Sequence, residues 1–208
     1  MNHIHYMWNF KPNEKNPCPQ DVIYNNLKHI YTYSLTTPFN MHNLIENNVF
    51  PELAELYVKI PHWVVQADLV RLLLVYFNGG FYSDVDCFIQ KKWNTPSSVI
   101  LFTEHVCKSV NELGPRECKN PENTVRIANY FFGTNTIHNP FIKEVIEECI
   151  RRLKQIISEK KTSLTAQDIL WMCGPDVITC VYHTSKHNYD ICLLDTTYVH
   201  HKRYASWR

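Results

Sequence analysis

Residues 63–77 form the most apolar segment of the chain. Its only polar side chains are Gln66, Asp68 and Arg71. A helix that is apolar on almost every face is buried inside a protein. A pair of glycines and a short strand pattern follow directly, at 79–86. Because a buried helix leads straight into a strand, the chain is constrained to a layered fold in which helices cover a sheet.

The strand pattern carries two carboxylates, Asp84 and Asp86. Successive side chains of a strand alternate between faces, so these two are predicted to share one side with Tyr82 and to lie roughly 6.6 Å apart along the strand. That separation excludes a mutual hydrogen bond, but one carboxylate could hold a metal ion while the other contacts a neighbouring part of the ligand. Mg²⁺-like ions prefer oxygen ligands and often complete their shell with substrate phosphates. The run therefore predicts a phosphorylated, metal-bound substrate.

Strand and helix patterns alternate along the chain, which predicts an α/β class with an open, mostly parallel sheet. The strand patterns are 3–8, 31–35, 99–103 and 129–132. The helical patterns are 20–30, 40–47, 51–59 with Pro51 in first position, and a long amphipathic segment capped by Asn139 and started by Pro140. Residues 104–125 are predicted to be a loop-rich insertion.

Composition excludes several classes of protein. At 208 residues, with 45% hydrophobic and 20% charged residues, 1–208 is expected to form one globular domain. The net charge of +1, without a long basic block, gives no support to a nucleic-acid partner. No stretch approaches the roughly 18 apolar residues of a membrane span. The five glycines form neither a Gly-x-Gly-x-x-Gly motif nor a P-loop, so a bound nucleotide would not be held by a glycine-rich loop.

The cysteines and the N-terminus indicate a compartment. The first residues lack the basic region and apolar core of a signal peptide. Eight cysteines are scattered without a Cys-x-x-Cys pair, and no Asn-x-Ser/Thr glycosylation site is present. These features predict a cytoplasmic protein. The chain ends one residue after Trp207, which suggests a domain of a longer protein.

Three side chains outside the acidic run are candidates for a site. Asp68 and Arg71 lie three residues apart and therefore on one face of the apolar helix. They are predicted either to form an internal salt bridge or to point into a common pocket and hydrogen-bond hydroxyl groups. Trp8 ends the first strand pattern, where a core aromatic is the simplest interpretation.

The C-terminal residues combine His200, His201, Ser206 and Trp207. An exposed, frayed tail is the simplest interpretation of such residues. Imidazole is nevertheless a competent ligand for Mn²⁺-type ions, and the indole N–H is a hydrogen-bond donor. The tail is therefore a second source of metal ligands.

The order of these motifs resembles the DXD-containing glycosyltransferases, which include the yeast initiating mannosyltransferase, the α-galactosyltransferase of lactosylceramide and, more distantly, the glucosylating clostridial toxins. The blocks that carry the resemblance are 4–8, 66–71, 79–86, 129–140, 173–175 and 201–207. The chain is also similar to compact amino-terminal transferase domains of some large algal-virus proteins. That similarity implies a viral protein that acts in a host cytoplasm.

The resemblance implies a GT-A type fold that transfers a sugar from a nucleotide-sugar donor, a UDP-sugar such as UDP-glucose, to a glycan or glycoprotein acceptor. It implies Mn²⁺ or Mg²⁺ as the cofactor. By the family pattern, Trp8 stacks on the nucleotide base, while Asp68 and Arg71 hold the donor sugar. Asp84 contacts the sugar or the ribose. Arg71, Asp84 and Asp86 are the catalytic residues that the pattern implies.

The same family pattern implies the metal and diphosphate ligands. Asp86 ligates the metal, with His201, or alternatively His200, as a second ligand. Ser206 and Trp207 bind the diphosphate.

The acceptor side follows the family less closely, because the segment 172–175 lacks the usual threonine before Gly-Pro. An inverting enzyme needs a carboxylate base near the acceptor hydroxyl. Glu104, Asp168 and Asp176 are the candidates. The alternative functions are a GDP-mannose-dependent mannosyltransferase, a metal-dependent phosphohydrolase that activates water with the same carboxylates, and a carbohydrate-binding module favoured by the 13% aromatic content.

Overall fold

The computed structural model describes residues 2–13, 15–60, 62–109, 112, 124–160 and 163–202. Among these residues, seven strands form the central sheet and two form a small second sheet. The strands are β1 (His3–Met7), β2 (Thr32–Thr36), β3 (Gly80–Ser83), β4 (Cys87–Ile89), β5 (Val99–Val106), β6 (Val125–Ile127), β7 (Phe131–Thr134), β8 (Ile191–Leu194) and β9 (Val199–His201).

The central sheet has the order β2-β1-β3-β7-β5-β6, and β8 also pairs with β5. Strand β1 is parallel to both β2 and β3, and β5 is parallel to β8. Strand β7 is antiparallel to β3 and β5, and β6 is antiparallel to β5. Five of the seven strands therefore point the same way, which confirms the prediction of a mostly parallel sheet within an α/β fold.

Seven α-helices flank the sheet in the described part of the chain. They are α1 (Gln20–Asn26), α2 (His42–Ile45), α3 (Leu53–Lys59), α4 (Trp63–Asn78), α5 (Pro140–Ser158), α6 (Ala166–Met172) and α7 (Pro175–Ser185). Several boundaries differ from the sequence prediction, and two of them have a clear local cause. Helix α1 ends at Asn26 because residues 27–31 form turns, and α3 begins at Leu53 because Pro51 lies in the preceding turn.

Helix α4 forms the centre of the core, as its composition predicts. Twelve of its sixteen residues are buried, including both Asp68 and Arg71. Helix α5 belongs to the same apolar cluster and buries the stripe that begins at Phe141. The Asn139 side chain accepts a hydrogen bond from the Phe141 N–H at 3.0 Å, which confirms the predicted cap. Truncating a leucine such as Leu73 to alanine would cost about 2–5 kcal/mol in a core of this kind.

The glycine pair turns the chain from α4 into β3. Gly79 and Gly80 have φ values of 64° and 79°, a region that side chains rarely adopt. A Cβ atom on Gly80 would also lie 2.8 Å from the His3 carbonyl oxygen of β1. The pair therefore allows the end of the buried helix to pass close to the neighbouring strand, and it fixes where β3 starts.

The prediction that Asp84 and Asp86 share one side of a strand is wrong. Strand β3 ends at Ser83, and residues 84–86 form a turn in which the Cys87 N–H donates to the Asp84 carbonyl oxygen at 3.2 Å. The chain leaves the central sheet there because β4 pairs with β9 instead. The spacing calculated for a strand therefore does not apply to these two carboxylates.

The prediction of a loop at 104–125 is partly wrong, because β5 continues to Val106 and β6 begins at Val125. Residues 110, 111 and 113–123 of the intervening segment lie outside the described residues. Across the part of the chain that is described, no helix has the length and apolar character required to cross a bilayer.

Candidate active site

The candidate site is a cavity of about 460 Å³ at the carboxyl ends of the parallel strands β1 and β3. In open α/β sheets, ligands bind in the crevice outside this edge. The cavity brings together six of the residues that the sequence predicts for the site: Trp8, Asp68, Arg71, Asp84, Asp86 and His201. Ser206 and Trp207 lie outside the described residues. The volume is within the range of about 300–1,000 Å³ that is typical of small-molecule sites.

One wall of the cavity is a charged network on α4 and at the end of β3. The Arg71 guanidinium lies 3.0 Å from Asp68 Oδ1 and 3.5 Å from Asp84 Oδ1. It also packs over the Tyr82 ring at 4.7 Å. The Tyr82 hydroxyl donates to Asp84 Oδ1 at 2.5 Å. Asp68 and Arg71 therefore make the internal salt bridge and also line the cavity, while their hydrogen bonds to hydroxyl groups stay a prediction.

Burial changes the protonation of this network. It raises the pKa of the Asp68 carboxyl to about 7, and the negative charge of Asp84 acts in the same direction while Arg71 opposes both. Burial also raises the pKa of Asp84, against the influence of Arg71 and the Tyr82 hydrogen bond. Burial alone would lower the pKa of Arg71, but the charges of Asp84, Tyr82 and Asp68 raise it instead. One permanent cation thus lies between two carboxyl groups that are less acidic than usual.

A second wall is built by the two short strands β4 and β9. Their antiparallel register places His201 opposite Cys87, one residue after Asp86. His201 Nε2 lies 3.3 Å from Asp86 Oδ1. One ligand atom from each of Asp86, Cys87 and His201 lies within 4.8 Å of the others, a separation that a single metal ion could bridge.

Two details restrict this possible metal site. His200 is exposed on the other face of β9, because side chains alternate along a strand, so the structure leaves His201 as the histidine beside Asp86. Cys87 was not predicted as a candidate. Its side chain is fully buried in an apolar cluster, and this burial raises the pKa of the thiol well above its ordinary value.

Trp8 follows β1 at the rim of the cavity and is half-buried. Its indole N–H donates to the Asn16 carbonyl oxygen at 2.6 Å, which fixes the orientation of the ring. The ring therefore lines the cavity instead of filling the core, in contrast to the simplest interpretation of the sequence.

Sequence reasoning did not single out two further residues of the site. Asn129 donates through Nδ2 to Asp68 Oδ1 at 3.2 Å, and its carbonyl oxygen accepts from Arg71 at 3.0 Å. The Tyr130 ring lies 4.0 Å from the His201 ring. Both residues immediately precede β7. The signal in the sequence was the polar Asn129 at the start of an otherwise apolar strand pattern.

The three candidate bases lie in different environments. Glu104 lines the cavity. Asp168 instead caps α6, where its Oδ2 accepts from the Thr165 N–H and hydroxyl at 3.0 and 2.8 Å, so its assignment as a base is not supported. The Thr-x-x-Asp spacing could have indicated this capping role from the sequence. Asp176 does not line the cavity and forms an ion pair with Arg126 at 2.5 Å.

Comparisons with known proteins agree with this arrangement. Residues 12–117 match the family model described as a glycosyltransferase sugar-binding region containing a DXD motif. The match covers just over half of the chain, and the chain belongs to this family. It is therefore a glycosyltransferase, and such enzymes typically use a divalent metal. No curated protein sequence shows a significant match.

One solved structure supports the fold. The PaToxG glycosyltransferase is similar, with a TM-score of 0.58 and 16% sequence identity over 88% of this chain and 69% of that chain. A transferase mutant covers 96% of this chain and 93% of its own, with 11% identity and a TM-score of 0.42, which is too low to support an argument. At these identities the first similarity concerns the fold alone.

Proposed function

We propose that this glycosyltransferase uses a UDP-sugar, with UDP-glucose favoured, and transfers the sugar to a hydroxyl group of a glycan or glycoprotein with the help of Mn²⁺ or Mg²⁺. One observation carries the proposal. Trp8, the Asp68–Arg71 pair, Asp84 and Asp86 line one cavity, although they come from three separate segments of the chain. Each has the chemistry that one part of a nucleotide-sugar requires.

The donor set supports a divalent cation. Asp86 offers carboxylate oxygen and His201 offers imidazole nitrogen, ligand types that suit Mn²⁺, while Mg²⁺ prefers oxygen alone. The Cys87 thiol is a soft ligand, whereas both ions favour harder ligands, so Cys87 suits neither ion well. When bound, the cation would act as a Lewis acid that neutralises the negative charge of the diphosphate leaving group.

The protein's own groups would hold the sugar. A carboxyl group with a pKa near 7, as in Asp68, both accepts and donates hydrogen bonds at neutral pH, and sugar hydroxyls offer both partners. Arg71 is fixed by Asp68, Asp84 and the Asn129 carbonyl, so it is already oriented before a donor binds. Preorganised charges of this kind are usually the largest contribution to catalysis.

Trp8 would hold the nucleobase of the donor. Aromatic side chains stack on nucleobases with about 1–3 kcal/mol per base. The hydrogen bond from the indole to Asn16 holds the ring in place, so the ring loses little freedom on binding. The pyrimidine base is preferred here because the sequence resembles transferases that use UDP-sugars, and GDP-mannose remains the alternative donor.

The proposal is tested by titrating UDP, GDP and CDP into the protein with Mn²⁺, with Mg²⁺ and with EDTA, by calorimetry. We expect UDP to bind most tightly and only with a cation. The substitution Asp86→Ala should weaken this binding and lower transfer from UDP-glucose at least about 100-fold, the scale of losing one preorganised electrostatic contact.

The melting temperature of Asp86→Ala is measured alongside, because an unfolded variant would give the same loss. Normal turnover by the folded variant would contradict the metal-ligand role. Tightest binding of GDP would favour GDP-mannose as the donor, and equal binding with EDTA would exclude a metal-assisted donor site.

A further inference from the structure

Glu104 and Arg126 are two charged residues of the cavity that the donor site does not use. They lie on β5 and β6, and β5 is separated from β3 by β7 in the sheet order. Glu104 and Arg126 therefore line the same cavity as the donor network, but from different elements of the fold. A transferase needs such a second location, because the acceptor must lie beside the donor sugar.

A local irregularity of the sheet orients Glu104. The register between β5 and β6 shifts between Thr103, which pairs with Ile127, and His105, which pairs with Arg126. Glu104 is the extra residue at this β-bulge. Bulges re-aim side chains and occur preferentially near active sites. The bulge interrupts the alternation of side chains at Glu104, and the Glu104 side chain lines the cavity.

An ion-pair cluster then holds the Glu104 side chain in place. Arg126 Nε lies 2.9 Å from Glu104 Oε2, and its Nη2 lies 2.5 Å from Asp176 Oδ1. The side chains of Arg126 and Asp176 are only 9% and 10% exposed, whereas that of Glu104 is 22% exposed. Two carboxyl groups thus surround one guanidinium. Both Glu104 and Arg126 line the cavity, and Glu104 is the most exposed member of the cluster.

We infer that Glu104 is a specificity-determining residue of the acceptor subsite, which favours neutral or amine-bearing polyhydroxyl acceptors and rejects acidic ones. The inference rests on the proposed transfer reaction. A carboxylate accepts hydrogen bonds from hydroxyl and ammonium groups but repels carboxylate and phosphate groups. The ion pair with Arg126 already restricts the Glu104 side chain, so binding of an acceptor costs less conformational entropy.

The test measures UDP release from UDP-glucose and Mn²⁺ in the presence of three matched sugars: glucosamine, glucose and glucuronate. Each probe that enters the acceptor subsite changes the rate of UDP release, either by accepting the sugar or by displacing water. The measured quantity is the concentration that gives half of the maximal change. For the wild-type protein, we expect glucuronate to require at least about tenfold more than glucosamine, which corresponds to one decade in affinity.

Three variants separate a direct role of Glu104 from a structural one. The ratio of the half-maximal concentrations of glucuronate and glucosamine should fall below about threefold in Glu104→Gln. It should stay near the wild-type ratio in Glu104→Asp, because that variant keeps the negative charge. The matched control is Glu112→Gln, which removes the same charge from the connection between β5 and β6 at an exposed position that does not line the cavity. This control should keep the preference of the wild-type protein.

The outcomes distinguish the two proposals. Equal effects of all three probes on the wild-type protein, or no effect of any, would overturn the acceptor subsite, while the donor site of the proposed function is tested independently by cation-dependent UDP binding in calorimetry. A preference that survives in folded Glu104→Gln would overturn the role of Glu104. Absence of UDP release by the wild-type protein would contradict the transfer reaction itself, and the subsite with it.

Discussion

The two walls of the cavity are built by different means. The wall on α4 and β3 holds Asp68, Arg71 and Asp84 in a network of buried charges, whose helical pair is only three residues apart in sequence. The wall on β4 and β9 holds Asp86 and His201, which are 115 positions apart and meet through strands of three residues each. The first wall is therefore built on a buried helix, and the second on two short strands that pack in a separate apolar cluster.

This difference has a functional consequence. Charges in the first wall are desolvated and fixed, so altering them should disturb folding as well as donor binding. In the second wall, the His201 side chain is partly exposed and can be removed without opening the core. We therefore expect substitutions of the charged network in the first wall to lower stability, and substitution of His201 to lower ligand affinity alone.

The largest effect is expected for Arg71→Ala, which leaves the buried Asp68 without its cation. Removing one partner of a buried ion pair typically costs about 3–5 kcal/mol of unfolding free energy. The matched control is Arg151→Ala on α5, because Arg151 also pairs with a carboxylate three residues away, Glu148, but is 57% exposed. The substitution Arg151→Ala should lower the unfolding free energy by about 1 kcal/mol or less. Urea unfolding measures both, and similar losses would contradict the contrast between the two walls.

A smaller effect, on affinity alone, is expected for His201→Ala in the second wall. Loss of one ligand should weaken Mn²⁺-dependent UDP binding by about 10- to 100-fold, as is typical when a metal site loses a supporting group. The neighbouring His200→Ala should leave it unchanged, because that imidazole faces away from Asp86. Calorimetry and melting temperatures of both variants check this. Weaker binding by the His200 variant would show that the assignment of the two histidines is reversed.

The smallest effect is a pH dependence of stability from Asp68. Its folded pKa, about 7, is above the unfolded value near 3.8, so the folded state holds more protons between these values. This contribution to stability is therefore complete at about pH 4 and is lost as the pH rises to 7. The variant Asp68→Asn lacks the ionisation. The melting temperature of the variant minus that of the wild type should increase as the pH is raised from 5 to 8. A difference that stays constant or decreases over this range would contradict the raised pKa of Asp68.

Local features of the sequence predicted the elements that support the site. The apolar content of α4 predicted its burial, and Asn139 with Pro140 predicted the start of α5, because caps and hydrophobic faces depend on neighbours within one or two turns. The pair Asp68 and Arg71 could be placed on one face for the same reason. The family resemblance added Trp8 and His201, which no local pattern identifies.

The tertiary structure decided what depends on partners far along the chain. The strand that carries the acidic run ends at Ser83 because β4 pairs with β9, so Asp84 and Asp86 occupy a turn. The same pairing selects His201 over His200, and a shift in register between β5 and β6 turns Glu104 into the cavity. Sequence alone thus determined the burial of α4 and the start of α5. Strand register and pairing, which follow from non-local hydrogen bonds, decided which side chains meet at the cavity.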